Sequence, residues 1–279
     1  MRVPVLTYHS VNISGNQYSS NDHVALGTDL SLLTDLGYQI VPARDLVQCL
    51  ADGDLARLEN AVVLTCDDGS YFDYYDLPHP IWGMQSSFLN ILRGFRETRG
   101  QSAQPSLHLT SFVIASPDAR AVLDQTCLIG KGWWTDEWWP LATETRLMSI
   151  ENHSWDHVHP TLESVRQREQ KKGSFLAIDT LEDSNRQVLD ASRYINERCA
   201  PHRVSLFAYP YGEYSDYLSR EYLPGFTSEH GIQGAFTTSP EPATSETSRW
   251  TIPRYMCGKD WKSPDELVQL LREAKRRFA

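Results

Sequence analysis

The sequence predicts a single α/β domain folded as a distorted, incomplete (β/α) barrel, on three observations. Short apolar runs alternate with amphipathic ones along the chain, polar clusters follow the strand candidates, and no linker divides the 279 residues. Repeated strand-helix alternation implies a parallel sheet, and closing that sheet into a barrel removes exposed edges. Two small domains or one of barrel size would fit this length, and 41% hydrophobic content supplies a real core. The stretch SPEPATSETS, Ser239 to Ser248, lies too near the C-terminus to leave a second core beyond it and reads as a surface loop. One domain over residues 1–279 is therefore expected.

The elements follow in order. VPVLTYH is a strand candidate, and DLSLLTDLGY, Asp29 to Tyr38, spaces its leucines helically. QIVPA is a strand, and RDLVQCLADG is a helix closed by Gly53. AVVLTC, with its uncharged and β-branched residues, reads as a strand covered on both faces. The segment from Ser70 to Ser106 is irregular, and we read 70–106 as an enlarged loop with a helix inside, of the kind that shapes a cleft at the barrel mouth. LHLTSFVIAS (107–116) and LMSIENH (147–153) are strands, and DTLEDSNRQVLDASRYINERC is a long amphipathic helix. VSLFAYPYG is a strand entering a Pro-Gly turn, and GAFTTS and IPRYM are shorter strands. PDELVQLLREAKRRF is a closing helix with proline at N1 and a cationic end.

Composition excludes several partners. A net charge of −10 argues against nucleic acid and anionic membranes, since binding to polyanions needs basic surface. The AKRRFA cluster reads as the end of the closing helix. Five scattered cysteines without CxxC spacing indicate reduced, mostly buried thiols and neither a disulfide framework nor a thiolate zinc site. No stretch is apolar enough for a leader or a membrane span, which favours the cytoplasm unless a leader has been removed.

Chemistry concentrates at three strand ends. AVVLTC finishes on Asp67 and Asp68, and two adjacent carboxylates repel unless a cation divides them or one takes a proton. Asp-Gly is also common turn punctuation. ENHSWDHVHP holds His153, His157 and His159, and the four-residue spacing of the first two would put both imidazoles on one side of a helical turn. Two neutral imidazoles and a carboxylate with open positions suit a catalytic zinc or related divalent ion. Plain surface or core histidines are the alternative. The third cluster is YPYG, residues 209–212.

Together, DDG at 67–69, HSWDH at 153–157 and YPYG at 209–212 resemble, in order and spacing, the motifs of the polysaccharide deacetylase superfamily, the NodB-homology type of carbohydrate esterase. SFVIAS stands where that family has its intervening strand. The resemblance implies a barrel of the deacetylase type and a metal-dependent hydrolase that removes acetyl groups from N-acetylhexosamine units of a poly- or oligosaccharide. It makes Asp67 the general base, and Asp68, His153 and His157 the ligands of a divalent metal, zinc first, with cobalt, nickel or manganese as other candidates. The Tyr211 backbone N–H becomes the oxyanion donor. A polysaccharide role favours the cell envelope over the cytoplasm.

The departures from the family pattern are also informative. Phe207 and Ala208 stand where the third motif carries an arginine, and the late Leu-x-His motif that furnishes a general acid is absent. VPVLTYHSV is similar to the start of the permuted exopolysaccharide deacetylase branch, which makes His9 the candidate acid. Arg254 in IPRYM is the candidate to orient Asp67, or forms a structural ion pair. Hydrolysis of another C–N bond, as in cyclic amidases of this fold, and a catalytically silent carbohydrate-binding module are the alternative functions. In WWTDEWWP, core packing is preferred to a sugar platform. Tyr71, Phe72, Tyr74 and Tyr75, next to DDG, are expected near the substrate.

Overall fold

The computed structural model describes residues 1–166 and 174–275. The RRFA end of the expected closing helix lies outside the described residues. The main sheet is built from β1 (Val5–Tyr8), β2 (Gln39–Val41), β3 (Ala61–Cys66), β4 (Leu109–Val113), β5 (Met148–Asn152), β6 (Leu206–Ala208), β7 (Gly234–Phe236) and β8 (Tyr255–Met256). All of its pairings are parallel, in the order β7-β6-β5-β4-β3-β1-β8, with β2 lying beside the start of β3. The two ends of this order meet on one segment. Ile252 bridges Phe236 of β7, and three residues later Tyr255 pairs with Leu6 of β1. The sheet is therefore a curled, distorted barrel whose seam is the stretch 252–256.

β3 is central because it has no charged residue to place, and all six of its residues are buried. Its side chains alternate between two cores. Val62, Leu64 and Cys66 face the outer helices, and Ala61 and Val63 join Val5, Phe112, Phe236 and Ile252 inside. Leu46 and Val47 of α2 (Ala43–Asp52) belong to the inner core, so this helix packs on the interior residues. Gly234 has no room for a side chain, because a Cβ there would stand 2.6 Å from Val47. Gly53, left-handed at φ 70°, ends α2 as its sequence position predicts.

α1 runs from Asp22 to Asp35, earlier than the leucine spacing suggests, because the Asn21 side chain accepts from His23 N and starts the helix there. The segment 70–106 carries the short turn Tyr71–Asp73, an antiparallel pair (Leu77–His79 with Gly83–Gln85) and α3 (Phe88–Arg99), which packs on α1. α4 (Pro117–Cys127) and α5 (Trp139–Glu144) lie between β4 and β5 in sequence. The long helix is present as Leu181–Ser184 and Ala191–Arg198 joined by a wider π-type turn, Asn185–Asp190. The surface loop 239–248 contributes Ala243–Thr244, which pairs with Arg2–Val3. Four cysteines are buried and Cys127 is exposed. Among the described residues no helix is long and apolar enough to cross a membrane.

Two buried carboxyls away from the strand ends make stability depend on pH. Burial pushes Asp29, which accepts from the Tyr8 and Tyr18 hydroxyls, up to about 6. It pushes Glu151 up to about 7, although the Ser205 and Leu206 N–H groups donate to its Oε2 and Arg44 pairs with Oε1. A carboxyl raised in the folded state stabilises fully below its unfolded value near 4, and that contribution is lost as pH rises through the folded value. Glu151→Gln, neutral throughout, should therefore gain on the parent by on the order of 2–3 kcal/mol between pH 5 and 8. Parallel stability curves in denaturant at the two pH values would refute this.

Candidate active site and metal centre

The site lies at the carboxyl ends of β1, β3, β5 and β6, where parallel strands leave their last backbone groups free for loops. Leaving β3, the chain turns sharply, with Asp68 at φ 76° and Gly69 at φ 71°. A Cβ on Gly69 would meet Val113 side-chain atoms at 2.4 and 2.6 Å, so DDG needs its glycine for space as well as for φ. The Asp68 carbonyl accepts from Trp134 Nε1 at 3.0 Å and from Ile114 N at 3.3 Å, which anchors the turn to β4 and the tryptophan loop.

His153 and His157 do come to one side, but not on a helical turn. Ser154, His157 and Val158 all have positive φ, at 74°, 60° and 46°. Side chains hold this bend: Asn152 Oδ1 accepts from Ser154 N, Ser154 Oγ from His157 N, and Asp156 Oδ1 from Val158 N. Such local bonds compete with the helical ladder and here they win. His153 Nδ1 lies 2.8 Å from the Ala208 carbonyl, which can only accept, so the proton sits on Nδ1 and the Nε2 lone pair faces the cleft. Nε2 of His153 and of His157 lie 3.6 and 3.7 Å from Asp68 Oδ1. Burial, with His153 beside it, drives the His157 imidazole well below its ordinary value and keeps it neutral.

One ligand atom from each of Asp68, His153 and His157 lies within 4.8 Å of the others. The donor set fits a divalent cation, with two imidazoles as neutral donors and one carboxylate to carry the charge. No thiolate is among the three, and all of them line one cleft.

Asp67 is held differently. Its two oxygens receive Nη1 and Nη2 of Arg254, each at 2.7 Å, and both residues are buried. The guanidinium stands inside the barrel over the Phe112 ring, takes Thr7 and Thr65 hydroxyls at 3.2 Å, and donates Nε to the Thr237 carbonyl. Burial alone would raise the Asp67 carboxyl. The charge and paired hydrogen bonds of Arg254 override it and hold the group well below the usual carboxylate range. Arg254 is thus the buried ion-pair partner of Asp67, and it reaches that carboxylate from the barrel seam.

The cleft above these groups has a volume of about 240 Å³, and His9, Asp67, Asp68, His153, His157 and Tyr211 all line it. His9 reaches it from the end of β1, with its backbone N–H donated to Asp22 and a buried Nδ1 that has no hydrogen-bond partner among the described residues. Tyr211 stands in a left-handed turn at φ 60°, 44% exposed, with its ring 4.5 Å from that of His157. Gly212 follows it because a Cβ would fall 2.1 Å from Thr238 Oγ1.

Several expectations are corrected. No residue of 70–106 lines this cleft. Tyr71 and Tyr75 stack on each other, Tyr74 stacks on Trp138, and Phe72 packs on Trp133 and His23. The tryptophan stretch divides: Trp138 and Trp139 are core, as expected, and Trp134 reaches the cleft wall. Val11, Ile114, Leu123, Cys127, Thr238 and Met256 also line it. No local pattern marks them, because distant loops bring them together. His159, also in the wall, was visible in the histidine cluster and carried no assigned role.

Residues 108–223 match the family model described as polysaccharide deacetylase, a span that includes HSWDH and YPYG and omits DDG, His9 and Arg254. Three solved structures share the fold over nearly the whole chain. Streptococcus pyogenes deacetylase PplD, in complex with acetate, is 16% identical with a TM-score of 0.64 and covers 97% of this chain and 98% of its own. IcaB from Ammonifex degensii is 18% identical with a TM-score of 0.60, covering 99% and 97%. The BpsB deacetylase domain from Bordetella bronchiseptica is 14% identical with a TM-score of 0.59, covering 92% and 96%. No curated protein sequence matches the chain.

Proposed function

The chain has the fold of the polysaccharide deacetylase superfamily and matches its family model across the histidine and Pro-Tyr motifs, and from that premise we propose that it is a metal-dependent hydrolase of N-acetyl groups on N-acetylhexosamine-containing poly- or oligosaccharide. The observation that carries this reading is the convergence of Asp68, His153 and His157 beside an Arg254-paired Asp67 in one cleft. Asp68, His153 and His157 would hold zinc or a related divalent ion, which when bound acidifies water and polarises a carbonyl.

The remaining work falls to the chain. Asp67 accepts the proton of the attacking water. Its bidentate pairing fixes the plane of the carboxylate and keeps it ionised, at the expense of basicity, so it depends on water that is already acidified. The Tyr211 N–H faces the oxyanion that develops on the carbonyl. His9 passes a proton to the departing amine, which cannot leave as an anion.

Acetate release from N-acetylglucosamine oligomers should fall to background with a chelator and return with zinc. His153→Ala and His157→Ala should lose the single metal that elemental analysis finds per parent chain. Turnover that survives chelation, or variants that bind metal as the parent does, would overturn the assignment. Sugar binding without turnover in the metal-loaded parent would indicate the silent module instead.

For His9→Ala the expected outcome is selective. Turnover of an N-acetyl sugar should drop roughly a hundredfold and that of an activated acetyl ester far less, because a phenolate leaves without a proton. Equal losses on both substrates would remove His9 from the acid role.

A further inference from the structure

Outside the metal-binding and proton-transfer groups, one buried carboxyl is tied to both sides of the site. Asp73 ends the short turn after DDG and is fully buried. Its Oδ1 accepts from Ser10 Oγ, and its Oδ2 accepts from Ser111 Oγ at 2.7 Å and Cys66 Sγ at 3.4 Å. Ser10 Oγ is also 2.9 Å from Ser70 Oγ, which in turn accepts from Phe72 N at 3.2 Å. Ser10 is the neighbour of His9, Cys66 that of Asp67, and Ser70 follows the DDG turn. The three donors to Asp73 come from adjacent strands: Ser10 lies just past the end of β1, Cys66 ends β3, and Ser111 is in the middle of β4.

Such an arrangement is costly. A carboxyl is taken out of water, and burial raises it to about 6 despite its donors. Asparagine or an apolar residue would fill the space more cheaply, and nothing in the site itself touches Asp73. A fully satisfied buried network fixes geometry, whereas apolar packing leaves small shifts nearly free.

Building on the deacetylase reading, we infer that Asp73 is a positioning residue that sets the placement of His9 relative to Asp67 by joining Ser10 to Cys66 and Ser111. It touches no reacting atom. Its effect reaches the chemistry through Ser10, so it belongs to protonation of the leaving amine more than to metal binding.

Asp73→Asn should lower kcat on an N-acetyl oligomer about tenfold to a hundredfold, with KM and metal content unchanged, and cost much less on an activated acetyl ester. Ser10→Ala should show the same split, and the double variant should lose no more than the worse single one, since both break one linkage. Ser111→Ala, which removes one anchor of Asp73 but keeps its bond to Ser10, should show the same split at a smaller size. In the metal-free protein, Asp73→Asn should shift the NMR signals of the His9 imidazole and leave those of His202 in place. That readout needs no turnover, so it survives if the parent proves inactive, which would sink the deacetylase reading alone. Additive losses, equal losses on amide and ester, or unmoved His9 signals would overturn the inference.

Discussion

Replacing Arg254 with methionine should cost about 3–5 kcal/mol of folding stability at neutral pH, the penalty for leaving a buried carboxylate without its partner. In the parent, the depressed Asp67 carboxyl adds stability that is fully present above its unfolded value near pH 4 and is lost only as pH falls through the lower folded value. Without the guanidinium, burial becomes the leading influence and the sign reverses. The carboxyl rises, and its penalty shrinks as acid protonates it. Denaturation in the presence of a chelator should therefore show a larger deficit at pH 7.5 than at pH 5. Adding Asp67→Asn should recover much of the loss, because no charge then needs compensation. A deficit that ignores pH would mean that Arg254 matters only as packing over Phe112.

Asp67→Asn should cut turnover roughly a hundredfold or more, the range of a general base, while the protein still binds one metal per chain. Asparagine keeps the shape but cannot take a proton, and Asp68, His153 and His157 are untouched by the change. Arg254 loses a charge partner, so the thermal midpoint should be followed alongside activity to separate chemistry from folding. Loss of metal in parallel with loss of rate would place Asp67 among the ligands and not at the base position.

Strand ends were the readable part of this sequence. AVVLTC is β3 to the residue, and the DDG, HSWDH and YPYG clusters all open on one cleft. For β3 the legibility is physical: its six buried residues carry no charge, so Asp67 marks where the chain leaves the sheet. The four-residue spacing of His153 and His157 misled about backbone, because Asn152, Ser154 and Asp156 supply bonds that replace a helical turn. Adjacency to DDG misled about Tyr71, Phe72, Tyr74 and Tyr75, whose rings pack on one another and on Trp133, Trp138 and His23 and do not line the cleft. Asp73 itself carried no signal. Its serine partners, Ser10 and Ser111, lie 63 and 38 residues away in sequence and have no pattern of their own.

The barrel seam has a consequence for how the chain is made. Asp67 and Arg254 are separated by 187 residues, and Arg254 lies on the segment that joins the two ends of the sheet. On a ribosome the aspartate emerges early and its counter-charge late, so every shorter nascent chain that collapses around β3 must bury an uncompensated carboxylate or leave that strand end open. Contacts this distant are slow to form and their entropy is paid before they give anything back. Final closure of the sheet and neutralisation of the base then become one event, which makes folding all-or-none at the place where the chemistry is assembled.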